Sequence, residues 1–239
     1  MIISNSHKFI FVHIHKTGGS SVSVALQPHL AWNDLSLGGS PLGEAMNSLY
    51  SQQFGLGKHS TLEEIKAVCG ADLVEEYFSF AFVREPSVRA VSLYNYIAYF
   101  SQDLAQYYKK TEDELAAASI SSDGSINHDF LNWSATRAFY LTNSFSDFIR
   151  SEEAINDMGF RPQIESLRTT DGSSMVKKII KLEDAASELP NLWEALGFRF
   201  HLPHLNRPES YTQDPEEVSK SDRKYLRDLF ADDYLALEY

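Results

Sequence analysis

"KFIFVHIHKTGGSSVSVAL", residues 8–26, decides the fold. Its first seven residues, "KFIFVHI", are rich in β-branched and aromatic side chains, a strand signal. A glycine pair follows, and "SSVSVAL" then runs without a breaker toward Pro28, which reads as a helix. A strand that turns through glycines into a helix offers an anion the unpartnered N–H groups of the first helical turn and the positive end of the helix dipole. Gly18 and Gly19 permit close approach and positive φ, and Ser20 and Ser21 can cap the helix or donate to phosphate oxygens. Lys16 adds a mobile cation. The order is not that of the nucleoside-triphosphate loop G-x-x-x-x-G-K-[ST], because Lys16 stands before its glycines and has none five residues upstream. A strand-to-helix turn with no ligand would carry the same glycines.

A second stretch has the same logic. In "YFSFAFVREPSVRAVSLYNY", residues 77–96, the continuous apolar run reads as a strand buried on both faces. Arg84 ends it, at the carboxyl edge where open α/β sheets bind ligands, and Pro86 suits the first turn of a long amphipathic helix. Ser92 lies eight residues after Arg84, about two helical turns into that helix. A guanidinium fork and a hydroxyl converging in this way can grip a second phosphate. The competing reading pairs Arg84 with Glu85 or another acid and makes Ser92 a filler of a helix face. Arg89 reads as a packing or ion-pair residue.

Further elements follow the same alternation. "STLEEIKAVCG", residues 60–70, has capping-box spacing from Ser60 to Glu63 and a helix terminator in Gly70. Residues 111–174 read as mostly helical with polar loops, "SISSDGSIN" (119–127) being the stretch expected to move. "SMVKKIIKL" (174–182) reads as a strand, "EDAASELPNLWEAL" (183–196) as a helix ended by Gly197, and the tail as helical from Asp214-Pro215 almost to Tyr239. Strands alternating with helices argue an α/β fold with a central parallel β-sheet flanked by helices. At 239 residues with no dividing linker, the expectation is a single domain over 1–239.

Composition narrows the function classes. The net charge of −12 disfavours nucleic acid as a partner, since such binding rests on phosphate neutralisation. The charge is uneven: residues 1–110 carry 8 basic and 9 acidic side chains, residues 111–239 carry 13 and 24. No apolar run approaches the ~20 residues of a membrane span. The first residues lack the pattern of a signal peptide, and the single Cys69 excludes an internal disulfide framework, so a cytoplasmic location is expected.

Taken together, "HIHKTGGSS" (13–21) and "FVREPSVRAVSLYNY" (82–96) resemble the sulfotransferases that use 3′-phosphoadenosine-5′-phosphosulfate (PAPS), particularly the carbohydrate-type family of the heparan and chondroitin sulfotransferases. "GKHSTLEEI", "RPQIESL", "IIKLED", "LPHLNRPESY" and "FADDYLALEY" resemble that family in the same order, so the likeness covers residues 8–239. The resemblance implies a P-loop-like three-layer sandwich. It also implies that Lys16, Thr17, Gly18, Gly19, Ser20 and Ser21 surround the donor's 5′-phosphate, and that Arg84 and Ser92 bind the 3′-phosphate. His59 matches the family's catalytic histidine, while Asn206, Arg207 and Tyr211 would close over the nucleotide. Two positions depart from the pattern: His15 stands where the family often has Pro, and Glu85 where it often has Asn.

The reaction so implied moves a sulfuryl group from PAPS to an acceptor hydroxyl of a carbohydrate or glycolipid, releasing 3′-phosphoadenosine-5′-phosphate (PAP). His59 would act as base and Lys16 would stabilise charge on the leaving oxygen. A sulfuryl group carries less negative charge than a phosphoryl group, so no metal is expected. His13 and His15 project to one side of the strand, but no third ligand at telling spacing accompanies them, and structural histidines are the reading adopted. Gln163 and Glu183 could meet donor or acceptor, or be solvated polar positions. Tyr94, Tyr96, Tyr99 and Trp133 could stack on a sugar, or belong to amphipathic core helices. Two other function classes compete: a small-molecule kinase using ATP and magnesium, and a non-catalytic nucleotide-binding protein.

Overall fold

The computed structural model describes residues 1–121, 124–203 and 212–239. The chain forms two compact units, Met1–Arg84 with Pro162–Arg207, and Glu85–Arg161 with Pro208–Tyr239. Each unit is assembled from two separated stretches. The chain therefore passes from one to the other three times, at points that carry no linker composition.

The first unit is built on a five-stranded sheet. Its strands are β1 (Ile2–Ser4), β2 (Phe9–Val12), β3 (Leu35–Ser36), β4 (Phe78–Val83) and β5 (Lys178–Lys181), in the order β3-β1-β2-β4-β5. β2, β4 and β5 run parallel, as expected, but β1 pairs antiparallel with both β2 and β3. The sheet is therefore mixed rather than parallel throughout. The segment between β1 and β2 is too short for the helical crossover that a parallel pair requires, so the two form a hairpin. Around the sheet stand α1 (Gly19–Leu26), α2 (Pro41–Phe54), α3 (Leu62–Cys69), α4 (Ala71–Glu76) and the helix Ala185–Leu196.

The register sets the core. Phe11 pairs with Phe80, and Phe82 with Ile180, so alternate residues of neighbouring strands share one face. Phe9, Phe11, Phe80, Phe82 and Ile180 pack there against Val22 and Leu26 of α1 and against Leu192 and Leu196. Each such fully buried side chain contributes about 1.5–3 kcal/mol. α3 is capped one residue later than the spacing predicts. Thr61 Oγ1 accepts from Glu64 N (3.2 Å) while Thr61 N donates to the Glu64 carboxylate (2.8 Å). The sequence "STLEE" offers two overlapping boxes, and Ser60 is taken by the preceding turn, where its Oγ accepts from Gly57 N (2.8 Å).

The second unit is helical among its described residues. α5 (Pro86–Tyr108) packs with the helices Ser134–Leu141 and Lys220–Leu229 around Leu93, Ile97, Phe130, Phe148 and Phe230. Tyr94 belongs to this core, edge-on to Phe148 with ring centroids 5.1 Å apart, which removes it from any sugar-stacking wall. Tyr99 and Trp133 are exposed, and Tyr96 is half-buried. Arg89 is a packing residue: it is 2% exposed, donates to Gly159 O (2.8 Å) and Arg161 O (2.7 Å), and lies over the Phe230 ring. The tail helix starts later than expected, at Lys220 after a Ser219 cap; Asp214 caps only a 3₁₀ turn, Pro215–Glu217. Of the stretch expected to move, Ser122 and Asp123 lie outside the described residues.

Candidate active site

The carboxyl ends of β2 and β4, adjacent in the sheet, carry the Lys16–Ser21 turn and Arg84. β2 ends at Val12, and the chain turns through Lys16 (φ 64°) and Gly18 (φ 79°) before α1 begins at Gly19. A left-handed backbone at a lysine costs about 1–2 kcal/mol, so the turn holds Lys16 in a conformation that it would not choose alone. Gly19 is required for a different reason. A Cβ there would lie 2.0 Å from His13 Cδ2, because the buried His13 ring sits directly beneath the turn. Thr17 is buried and its hydroxyl donates to Ile14 O (3.1 Å), which leaves its backbone N–H as what it can offer an anion. α1 opens with no acidic residue in its first turn and no side-chain cap on its N–H groups, and Ser20 is half-buried at its start. Such a turn is a ready anion cradle.

Positive charge gathers around it. Arg84 Nη1 approaches Lys16 O at 3.5 Å, bringing the guanidinium to the loop. Burial pushes the Lys16 ammonium down to about 7, and the charges of Arg84 and Lys58 act in the same direction. An anion bound among these three cations would reverse that shift. Lys58 was not singled out by its sequence. Its stem packs over Gly38, where a Cβ would meet it at 2.5 Å, and its ammonium pairs with Glu44 at 2.7 Å.

His59 reaches the same place from the loop before α3. Its Nδ1 lies 2.8 Å from the carbonyl oxygen of His13. A carbonyl only accepts, so Nδ1 carries the proton and Nε2 keeps its lone pair. His15 stacks on the His59 ring at 3.5 Å between centroids, and His13 meets it edge-on at 4.7 Å. Burial holds the imidazole of His59 well below its ordinary range, with His15 adding to the effect and the His13 hydrogen bond opposing it. His13 is held low by burial as well. The third histidine absent from local spacing is thus supplied by the fold, but His59 meets its neighbours ring to ring, stacked on His15 and edge-on to His13. Among the described residues no group of three or more His, Cys, Asp or Glu is arranged to hold a metal ion.

Arg84 is itself fixed by Gln163, which is fully buried and bonds both backbone groups of Arg84. Gln163 is therefore neither solvated nor a ligand, whereas Glu183 is exposed in the turn after β5. Ser92 lies half-buried on α5 in the helical unit. In the same unit Glu85 caps α5, accepting from Val88 N at 2.6 Å, and also accepts from the hydroxyl of Tyr234. The family's Asn is an equally good cap, so the substitution keeps the helix start. Asn206, Arg207 and Tyr211 lie outside the described residues.

A family model described as "Sulfotransferase family" matches residues 1–239. Comparison with curated proteins and with solved structures gives no match.

Proposed function

The chain belongs to the sulfotransferase family, and from that premise we propose that it transfers the sulfuryl group of PAPS to an acceptor hydroxyl, with His59 as base. The observation that carries this reading is the 2.8 Å bond from His59 Nδ1 to His13 O, which leaves Nε2 unprotonated on a ring that stacks on His15, the residue before Lys16. The turn of Lys16, Thr17, Gly18, Gly19, Ser20 and Ser21 would hold the donor's 5′-phosphate through backbone N–H groups and the Lys16 cation. Arg84 would take the 3′-phosphate. The acceptor oxygen attacks sulfur while its proton passes to His59 Nε2. The bond from sulfur to the bridging oxygen breaks, and its electron pair stays on the 5′-phosphate of PAP. Lys16 stabilises the charge developing there. The donor meets a cradle with no competing carboxylate in the first turn of α1, which fits an anionic nucleotide. Family membership weighs against the kinase alternative.

A carbohydrate or glycolipid is the acceptor class that the family resemblance favours. Sulfur-labelled PAPS incubated with a panel of glycans, glycolipids and phenols tests both points. Label on a glycan is the expected result. PAP binding without label on any acceptor would favour a nucleotide-binding protein instead.

A further inference from the structure

We infer that His15 is a positioning residue for the base: its ring clamps the face of His59 while the His13 carbonyl fixes the edge, so that Nε2 is held as an acceptor in one orientation. This rests on the reading of His59 as base. Three observations support it. The rings of His15 and His59 are stacked, with centroids 3.5 Å apart and planes 23° apart. Besides the edge contact with His13, His59 is held by a hydrogen bond at Nδ1, which fixes the tautomer and leaves the ring free to rock about that bond unless a neighbour blocks its face. His15 is also one residue before Lys16, whose left-handed backbone ties the clamp to the anion turn. A proline at position 15 could pack there but could not present a flat ring; this chain departs from the family pattern at the point where a ring touches the base.

The clamp carries an electrical consequence. His59 is faced by His13 at its edge, His15 at its face, Lys58 through the adjacent peptide, and the buried amino group of Met1 that bonds to Lys58 O at 2.6 Å. All are basic groups, and His15 is among the causes that hold the His59 imidazole down, so replacing it by a non-titrating side chain makes His59 easier to protonate.

The experiment compares the intact protein with His15→Ala and His15→Phe by nitrogen NMR of the labelled imidazoles across a pH titration, with His59→Gln used to assign the signal. The wild type is expected to show His59 protonated at Nδ1 alone. His15→Phe retains that tautomer and titrates at higher pH. His15→Ala keeps that tautomer but shows a broadened, more mobile His59 ring, also titrates higher, and releases PAP from PAPS about fivefold more slowly at saturating donor, with PAP affinity unchanged. A His59 ring as rigid as the wild type's and an unaltered titration in His15→Ala would overturn the inference, as would a loss confined to PAP affinity, which would make His15 part of the nucleotide turn. Normal PAPS turnover in His59→Gln would instead remove the base assignment and leave the clamp measurement standing.

Discussion

Arg84 and Gln163 are joined by a pair of reciprocal hydrogen bonds: Arg84 N donates to Gln163 Oε1 at 2.9 Å, and Gln163 Nε2 donates to Arg84 O at 2.8 Å. A side-chain amide thus continues the β4 hydrogen-bond pattern past the end of the strand. Because Gln163 is 0% exposed, its loss leaves two backbone groups without partners. Gln163→Ala is expected to destabilise the protein by about 2–4 kcal/mol and to weaken PAP binding through a displaced Arg84. Gln163→Glu, which keeps the acceptor but sets a fully buried carboxylate oxygen against Arg84 O, should cost at least as much. Urea unfolding with PAP titration separates the two effects; unchanged affinity in a folded Gln163→Ala would mean that Arg84 is not held for the nucleotide.

The Lys16 ammonium titrates at about 7 in the free protein. An anionic nucleotide binds the protonated form, so Lys16 takes up a proton on binding below its bound pKa and above its free one. PAP affinity is therefore expected to fall by up to about tenfold per unit above pH 7, until the pKa of Lys16 in the complex is reached. Calorimetry in buffers of different ionisation heat would show proton uptake at pH 8, and Lys16→Arg would abolish it. A pH-independent affinity would place Lys16 away from the phosphate.

His59 is depressed well below the imidazole range, first by burial. As a base it stays competent until pH falls past that lowered value, so the acidic limb of kcat/KM should lie below an ordinary imidazole's. His59→Gln is expected to lower kcat by about 10²–10⁴-fold with PAP affinity preserved. An acidic limb at the ordinary value in the wild type would argue that His59 is solvated in solution.

Local order carried much of this site into the sequence. The strand, glycine turn and helix at residues 8–26 are fixed by neighbours in the chain, as are Pro86 at the start of α5 and Gly197 at the end of its helix. What was hidden depends on pairing at a distance. β1 is a three-residue strand whose antiparallel partners no local period reveals. The Gln163 clamp spans 79 positions and the His59–His13 bond spans 46. Lys58 gives a signal only in retrospect, as a cation adjoining the histidine that the resemblance marks. The two units escaped because each is discontinuous, so no composition change accompanies the crossing from one to the other.

Gly19 and His13 are sterically locked, with His13 Cδ2 2.0 Å from where a Cβ would stand and the ring 4% exposed. Gly19→Ala must push aside a buried ring beneath the anion turn, at a cost of about 1–3 kcal/mol. Because His13 O holds His59, the same change is expected to lower kcat as well as stability. The double change Gly19→Ala, His13→Ala should recover part of the stability and none of the rate. Full activity in Gly19→Ala would show that the turn relaxes without moving His13.

Glu85 accepts from Val88 N at 2.6 Å and from the Tyr234 hydroxyl, while Ser87 Oγ lies 2.7 Å from the same hydroxyl. Burial and then the Glu85 carboxylate push the Tyr234 phenol up to about 12. A phenol whose pKa is raised on folding stabilises the fold below about pH 10, and that contribution is lost as pH rises toward 12. Tyr234→Phe removes the donor, so its stability should match the wild type's only at the alkaline end of this window. Glu85→Asn, which restores the family residue, keeps the cap on α5 and gives up the bond from Tyr234; about 1 kcal/mol of stability should go with it. PAP affinity in Glu85→Asn is expected to stay within about twofold, because both ends of the native carboxylate are already committed to the helix start and to Tyr234. A marked gain in affinity would mean instead that Glu85 repels the nucleotide in the native protein.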